Sequence, residues 1–395
     1  MLPSAIAAKI DGAHAKDRAL LVKLSQDIHA NPELRWEEHK AAAWIAELLE
    51  SRGFAVDRAF AGMATALRAR AGKTGGPRIA ILAEYDALPE IGHACGHNLI
   101  AAAGVGAFLA AATVASEAGG EVVLFGTPAE EGGGGKIKLI EAGAFEGIDA
   151  AMMFHPFDRD ILAHPALASY WYAFTFRGKP AHAAAAPHAG RSALTACLDT
   201  LRLIDGQRVH MRDGVRVHGV VKDGGQAVNI IPERAACEVN VRATSGEELD
   251  RVRLIVERCA RAAAMASDVE VEIEVRQGYR EMVNNMAMVR AFGAHARALG
   301  RTPNETDATA GAGSTDMGDV SHVVPSIHPW LGIVDRGQSQ IHEHAFARAA
   351  VSERGHSTCA DAARALARTA IELMVDTELL ARVRDEHRAS LARRR

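Results

Sequence analysis

The chain has 395 residues, enough for two domains or for one domain carrying a large insert. It is 48% hydrophobic and 24% charged, with a net charge of −4 and no basic block beyond Arg393–Arg395, which argues against nucleic acid or an anionic membrane as partner. No apolar stretch reaches the length of about 20 residues needed to span a bilayer. The Met1–Ile10 segment lacks a basic region followed by an apolar core. Cys95, Cys197, Cys237, Cys259 and Cys359 are widely dispersed, which speaks against a disulfide framework and for a reducing compartment. A cytoplasmic location is therefore expected.

Apolar spacing predicts helix over about Asp17–Arg52, stopped by Gly53. The apolar runs Arg78–Ala83, Glu121–Gly126 and Ala150–Phe154 read as strands, separated by helical stretches Ile100–Ala118 and Gly135–Ala142. That alternation predicts an α/β domain with a mostly parallel sheet and helices on both faces. From Leu167 the pattern changes to strand Ser169–Arg177, helix Gly190–Ile204, strands Arg216–Val221 and Ala235–Arg242, helix Ser245–Ala266 and strand Val269–Arg276. The order βαββαβ is that of a ferredoxin-like α+β domain. Strand Ser169–Arg177 alternates polar and apolar residues and is expected at an exposed sheet edge open to pairing with another chain. Helix Asn284–Leu299, a Gly-rich loop, a strand near Ser326–Val334 and a long final helix complete the chain. We expect a domain of residues 1–166 and 282–395 interrupted by an insert of residues 167–281.

Chemistry-bearing residues collect just after the predicted strands. Gly92-His93-Ala94-Cys95-Gly96-His97-Asn98 follows the first, after Glu84-Tyr85-Asp86. Thr127-Pro128-Ala129-Glu130-Glu131 and four glycines follow the second, and His155-Pro156 the third. Ligands bind beyond the carboxyl ends of the strands in open α/β sheets, and thiolate, imidazole and carboxylate are the donors of zinc and similar divalent ions. Each piece alone has an ordinary structural reading: a Cys/His loop, a solvated Glu pair, a strand-end His. Their coincidence at three strand ends favours a metal site. Adjacent carboxylates in an extended loop point in different directions, so one can bind metal while the other takes a proton from water. The glycines would let backbone approach the site closely. Asp86 is either a residue that orients a ligand imidazole or a turn residue before Leu88-Pro89.

These motifs, and Ile28-His29-Ala30-Asn31-Pro32-Glu33-Leu34 before them, resemble metallopeptidase family 20, which includes aminoacylases, glutamate-releasing carboxypeptidases and succinyl-diaminopimelate desuccinylases. Gly92–Asn98 looks like the Cys-containing branch, and Thr127–Lys136 is similar to the aminoacylase-1-like-2 and p-aminobenzoyl-glutamate hydrolase subgroup. The resemblance implies a two-metal amidohydrolase. Cys95, His97 and His155 would hold one divalent ion with Cys95 bridging; Glu131 and a C-terminal His would hold the other; Glu130 would be the general base. His342, four residues before Phe346, matches the C-terminal ligand, with His344 and His356 as alternatives. The family's usual His-x-Asp is Glu84-Tyr85-Asp86 here, so one His ligand is missing and His97 takes its place.

In the insert, Gly178-Lys179-Pro180-Ala181-His182 resembles a lid loop whose His reaches the partner subunit's active site and stabilises an oxyanion. Asn229 and Arg242 match residues that hold a substrate carboxylate. Gly313 and Ser314 lie in a Gly-rich loop that either closes over substrate or is purely structural. The expectation is a homodimer, acting with one or two zinc, manganese or cobalt ions per subunit. It hydrolyses an N-acyl amino acid, an aroyl-glutamate or a dipeptide. The rivals are an aromatic-acid deaminase using the same chemistry and an inactive metal-binding interaction protein.

Overall fold

Pro32 breaks what the apolar spacing joins. A residue before proline is pushed out of the helical region and proline itself cannot donate. The first helix, Ser4–Ala30, therefore ends at Asn31, and a second runs over His39–Ser51, replacing the single Asp17–Arg52 helix expected. Glu33 in the break accepts the N–H groups of Lys40 and Ala41, donors that the first turn of the second helix leaves without partners. This computed structural model describes residues 2–394, the side chain of Gln277 apart.

The described chain forms two compact units, Met1–Pro165 with Met282–Arg395, and Ala166–Glu281. In the larger, β1 (Val56–Arg58), β2 (Leu67–Gly72), β3 (Arg78–Glu84), β4 (Glu121–Thr127) and β5 (Ala150–Met152) lie in one sheet, followed by β6 (His155–Phe157). The smaller unit holds β7 (Ala168–Arg177), β8 (Arg216–Asp223), β9 (Arg234–Ala243) and β10 (Glu270–Tyr279), and the larger resumes with β11 (Ser326–Ile327) and β12 (Trp330–Gly332).

The main sheet has the order β1-β2-β4-β3-β5-β11. β3 is central and parallel to both β4 and β5, while β1 and β2 extend the sheet antiparallel at one side. β3 is buried from Ile79 onward and β4 throughout, as continuous apolar runs covered on both faces must be. Helix His97–Ala115 packs on these strands and against Ser4–Ala30 and Glu353–Val375. Contrary to the expectation that no apolar stretch is that long, it is apolar and long enough to cross a membrane, yet every residue but Ala112 and Thr113 is buried within the fold. The strand expected over Ala150–Phe154 stops at Met152, with β6 a separate strand beyond it, and the run expected over Ser326–Val334 divides into β11 and β12. β5 pairs with β11, and β6 with β12 in a separate two-stranded sheet. Pro329, lacking an N–H, falls in the gap between β11 and β12.

The smaller unit is an antiparallel sheet of order β10-β7-β9-β8 with helices Ala193–Gln207 and Gly246–Ala266 packed on it. Ser192 and Ser245 cap these helices by accepting the N–H groups of Thr195 and Glu248. Tyr172, Phe174 and Phe176 alternate into its core. β7 is an interior strand between β10 and β9, not the exposed edge expected of Ser169–Arg177; the edges are β8 and β10.

Candidate metal centre and active site

Cys95 and His97 sit where the chain leaves β3 and enters helix His97–Ala115. Gly96 between them has φ 79°, and a Cβ there would meet Cγ of Pro156 at 2.5 Å, so only glycine allows this turn to close on the His155-Pro156 segment. The contact brings Sγ of Cys95 to 3.4 Å from Nε2 of His155. His155 donates its Nδ1 hydrogen to the carbonyl of Pro156 at 2.7 Å, which leaves Nε2 as the lone-pair nitrogen. Trp330 stacks on the same ring at 4.3 Å and holds its plane, while its own other face carries His164 at 3.8 Å. His97 is fixed in the same sense: Nδ1 donates to the carbonyl and carboxylate of Asp86 at 2.8 and 3.1 Å. Its Nε2 is buried without a hydrogen-bond partner among the described residues.

The two glutamates diverge because the loop turns. Ala129 adopts φ 57°, and Gly132 N–H returns to Glu130 C=O at 2.7 Å, so the pair stands in a turn rather than the extended loop expected. Buried Glu38 braces that turn by accepting Ala129 N–H at 2.8 Å and the Thr65 hydroxyl at 2.8 Å. The glycines fold the turn onto itself: a Cβ at Gly135 would lie 1.9 Å from the Pro128 carbonyl. Glu131 receives its orientation from Asp86, whose Oδ2 accepts the Glu131 N–H at 2.8 Å. Asp86 thus touches both His97 and Glu131.

Three donor groups result, each with atoms within 4.8 Å of one another: Cys95/His97/His155, Cys95/Glu131/His342 and Glu84/His97/Glu130. Cys95 is common to the first two. His342 comes to 3.4 Å from Oε1 of Glu131, in a left-handed conformation (φ 68°) held by its N–H on the Ala94 carbonyl at 2.9 Å. Among the described residues, neither His344, exposed at the start of helix His344–Ala349, nor His356, beside His14 and Cys359, joins a donor group. Ser314 has a buried hydroxyl without a partner among the described residues, and Gly313 next to it faces open space.

Within the smaller unit, the Ala183 N–H bonds the Asn229 carbonyl at 2.9 Å, so the His182 and Asn229 loops lie side by side. The N–H groups of Ala184 and Ala185 both point at Nδ1 of His182, at 3.2 and 3.1 Å. An accepting Nδ1 puts the proton on Nε2, and the exposed ring can donate from there. Arg242, the last residue but one of β9, donates from Nε to Asn240 Oδ1 at 2.9 Å.

Several participants carry no role from the sequence. Glu84 registers there only as a missing histidine, and Lys136 and Asp316 only as the last residues of glycine-rich motifs. Lys136 is the one fully buried lysine among the described residues, with Nζ 2.6 Å from Glu84 and 2.7 Å from Asp316. Burial opposes its charge, but Asp316 and Glu84 outweigh that and hold its pKa above the ordinary value. His328 is buried 5.6 Å from the His155 ring with Nε2 unpartnered among the described residues. Burial, then Glu84 and Glu131, pushes the Glu130 carboxyl well up, and burial, then His97, pulls His155 down to about 3. These directions mark a site crowded with carboxylates in which only Lys136 supplies a buried ammonium. A divalent cation fits that imbalance. It also fits His97 Nε2 and Glu131 Oε1, buried atoms without a hydrogen bond among the described residues, whose ionisable neighbours Glu84 Oε1 and His342 Nε2 stand off at 3.3 and 3.4 Å.

Fold and donor set together define a metal-dependent amide hydrolase. The chain belongs to peptidase family M20/M25/M40, whose model matches residues 80–370. It is 38% identical to the Xaa-Arg dipeptidase of Mus musculus over 93% of this chain and 89% of that one. It is 28% identical to one of the subunits of the p-aminobenzoyl-glutamate hydrolase of Escherichia coli, over 96% and 94%. A Bacillus subtilis structure described as a dinuclear metal binding peptidase shares the fold, with TM-score 0.69, 22% identity and coverage of 91% and 99%.

Proposed function

We propose that the protein is a dipeptidase-type amidohydrolase that releases an amino acid whose free carboxylate it grips. The carrying observation is the pair of buried ligand atoms without a hydrogen bond among the described residues, His97 Nε2 and Glu131 Oε1, beside Glu130. Cys95, His97 and His155 would hold one divalent ion, and Cys95, Glu131 and His342 a second. Such ions polarise the scissile carbonyl and acidify water. Glu130 takes the proton of the attacking water and returns it to the departing amine; a carboxyl whose pKa is raised by burial is suited to both transfers. His182 donates from Nε2 to the developing oxyanion, and Arg242 with Asn229 holds the carboxylate. The dipeptide reading is supported by the 38% identity to the mouse Xaa-Arg dipeptidase along nearly the whole chain.

The test is a panel of dipeptides, N-acyl amino acids and aroyl-glutamates, supplied to enzyme reconstituted with zinc or manganese. Free amino acid and ammonia are measured separately. Amino-acid release from dipeptides, abolished by exhaustive chelation and restored by metal, is the expected result. Ammonia as the main product, or full activity in metal-free protein, refutes it.

A further inference from the structure

The Glu84 carboxylate is divided between two partners. Oε2 accepts from Lys136 Nζ at 2.6 Å, and Oε1 lies 3.3 Å from His97 Nε2, the nitrogen left without a hydrogen bond. Lys136 grips Asp316 twice, with Nζ on Oδ1 at 2.7 Å and its backbone N–H on Oδ2 at 3.0 Å. The side chains of all three are at most 1% exposed. A buried ion triad is a poor source of stability, because desolvation offsets most of the attraction. Its geometry points instead to placement. Glu84, His97 and Glu130 could themselves surround a cation, and a Glu84 released from Lys136 would bring an extra anionic donor to the place where Glu130 must meet water.

We propose that Lys136 is a positioning residue for the metal centre: it holds Glu84 beside His97 without letting it become a ligand, and it anchors the Gly313-Ser314 loop through Asp316. This inference rests on the metal reading given under Proposed function. While Lys136 holds Glu84, neutralising Glu84 should matter little to the ion. Once Lys136 is gone, Glu84 closes on the cation, binds it more tightly and obstructs turnover.

The experiment measures zinc and manganese affinity by competition with a chromophoric chelator, alongside kcat, KM and the melting of the metal-free protein. Lys136→Met should bind metal about tenfold more tightly, the scale at which groups around a ligand act, and lower kcat far more than KM. Glu84→Gln in the Lys136→Met background should return the affinity to the wild-type range. Because Lys136→Met leaves two carboxylates unpaired, Lys136→Met/Asp316→Asn serves as a charge-balanced second variant with the same expected tightening. Glu84→Gln alone, which keeps the Lys136–Asp316 pair, should leave metal affinity within about threefold of wild type; a tenfold or greater loss makes Glu84 a ligand already and overturns the proposal. Unchanged or weaker affinity in natively melting Lys136 variants also overturns it. Failure of the wild-type protein to bind either ion would instead sink the metal reading itself.

Discussion

Asp86→Asn tests the centre at the point where one side chain serves two donors. Oδ1 stands 3.1 Å from His97 Nδ1, and Oδ2 accepts the Glu131 N–H at 2.8 Å, with the carboxylate wholly buried. An amide has a single acceptor oxygen, so either orientation sets an N–H against another N–H. His97 keeps a second bond, to the Asp86 backbone carbonyl at 2.8 Å, so the amide oxygen should turn toward Glu131 and the loss should fall on the imidazole. A hydrogen bond to a charged group is worth about 1.5–3 kcal/mol, and each 1.4 kcal/mol is a factor of ten. With the backbone bond retained, the lower end applies, and metal affinity should fall about tenfold. Asp86→Ala, which removes both contacts, should lose roughly 100-fold. The assay is chelator competition on natively melting protein, with kcat measured again at saturating metal to separate occupancy from catalysis. Affinity within threefold of wild type for both variants would show that Asp86 positions neither donor.

Glu131→Ala should lose metal, whereas Glu130→Ala should keep metal and melting temperature and lose turnover by roughly 10²–10⁴-fold; near-normal turnover in Glu130→Ala places the base elsewhere. His14, away from the donor groups, gives a stability prediction. Burial, then Arg364, lowers its pKa to about 4, with Asp11 opposing. The unfolded chain therefore binds the extra proton between about pH 6.5 and 4, and stability should fall as pH drops through that window. The His14 share is at most about 3 kcal/mol. Urea unfolding at pH 7 and pH 4.5 should show a shallower loss for His14→Met, and an identical pH dependence would refute the assignment. If the protein is a homodimer in which His182 serves the partner's site, Glu130→Ala and His182→Ala homodimers should both be poorly active. Mixing them under subunit exchange should then restore activity, to at most about half per mixed dimer because one of its two sites is intact. No recovery despite demonstrated exchange rules out the trans arrangement.

Local pattern alone determined the α/β class and the βαββαβ order of the smaller unit, because strand and helix periods are written in neighbouring residues. It also pointed to Glu130, Glu131 and His155, which come within a few residues of an apolar run that must become a buried strand, and to Cys95 and His97, which lie in the loop between such a run and the next helix. Where a local signal was overruled, a proline was at hand: Pro32 divides the first helix, and Pro329 lies where the last strand run splits between two sheets. The rank of β7 as an interior strand was invisible, because alternation reports one buried face and says nothing of which strands pair alongside. The C-terminal loop offered several histidines, and only the bond from His342 N–H to Ala94 brings one of them to Glu131. The Glu84–Lys136–Asp316 triad was decided by tertiary structure entirely. Its bonds join residues 52 and 180 positions apart. A lone Lys after four glycines looks like any solvated charge until folding removes the water around it and pairs its ammonium with two buried carboxylates.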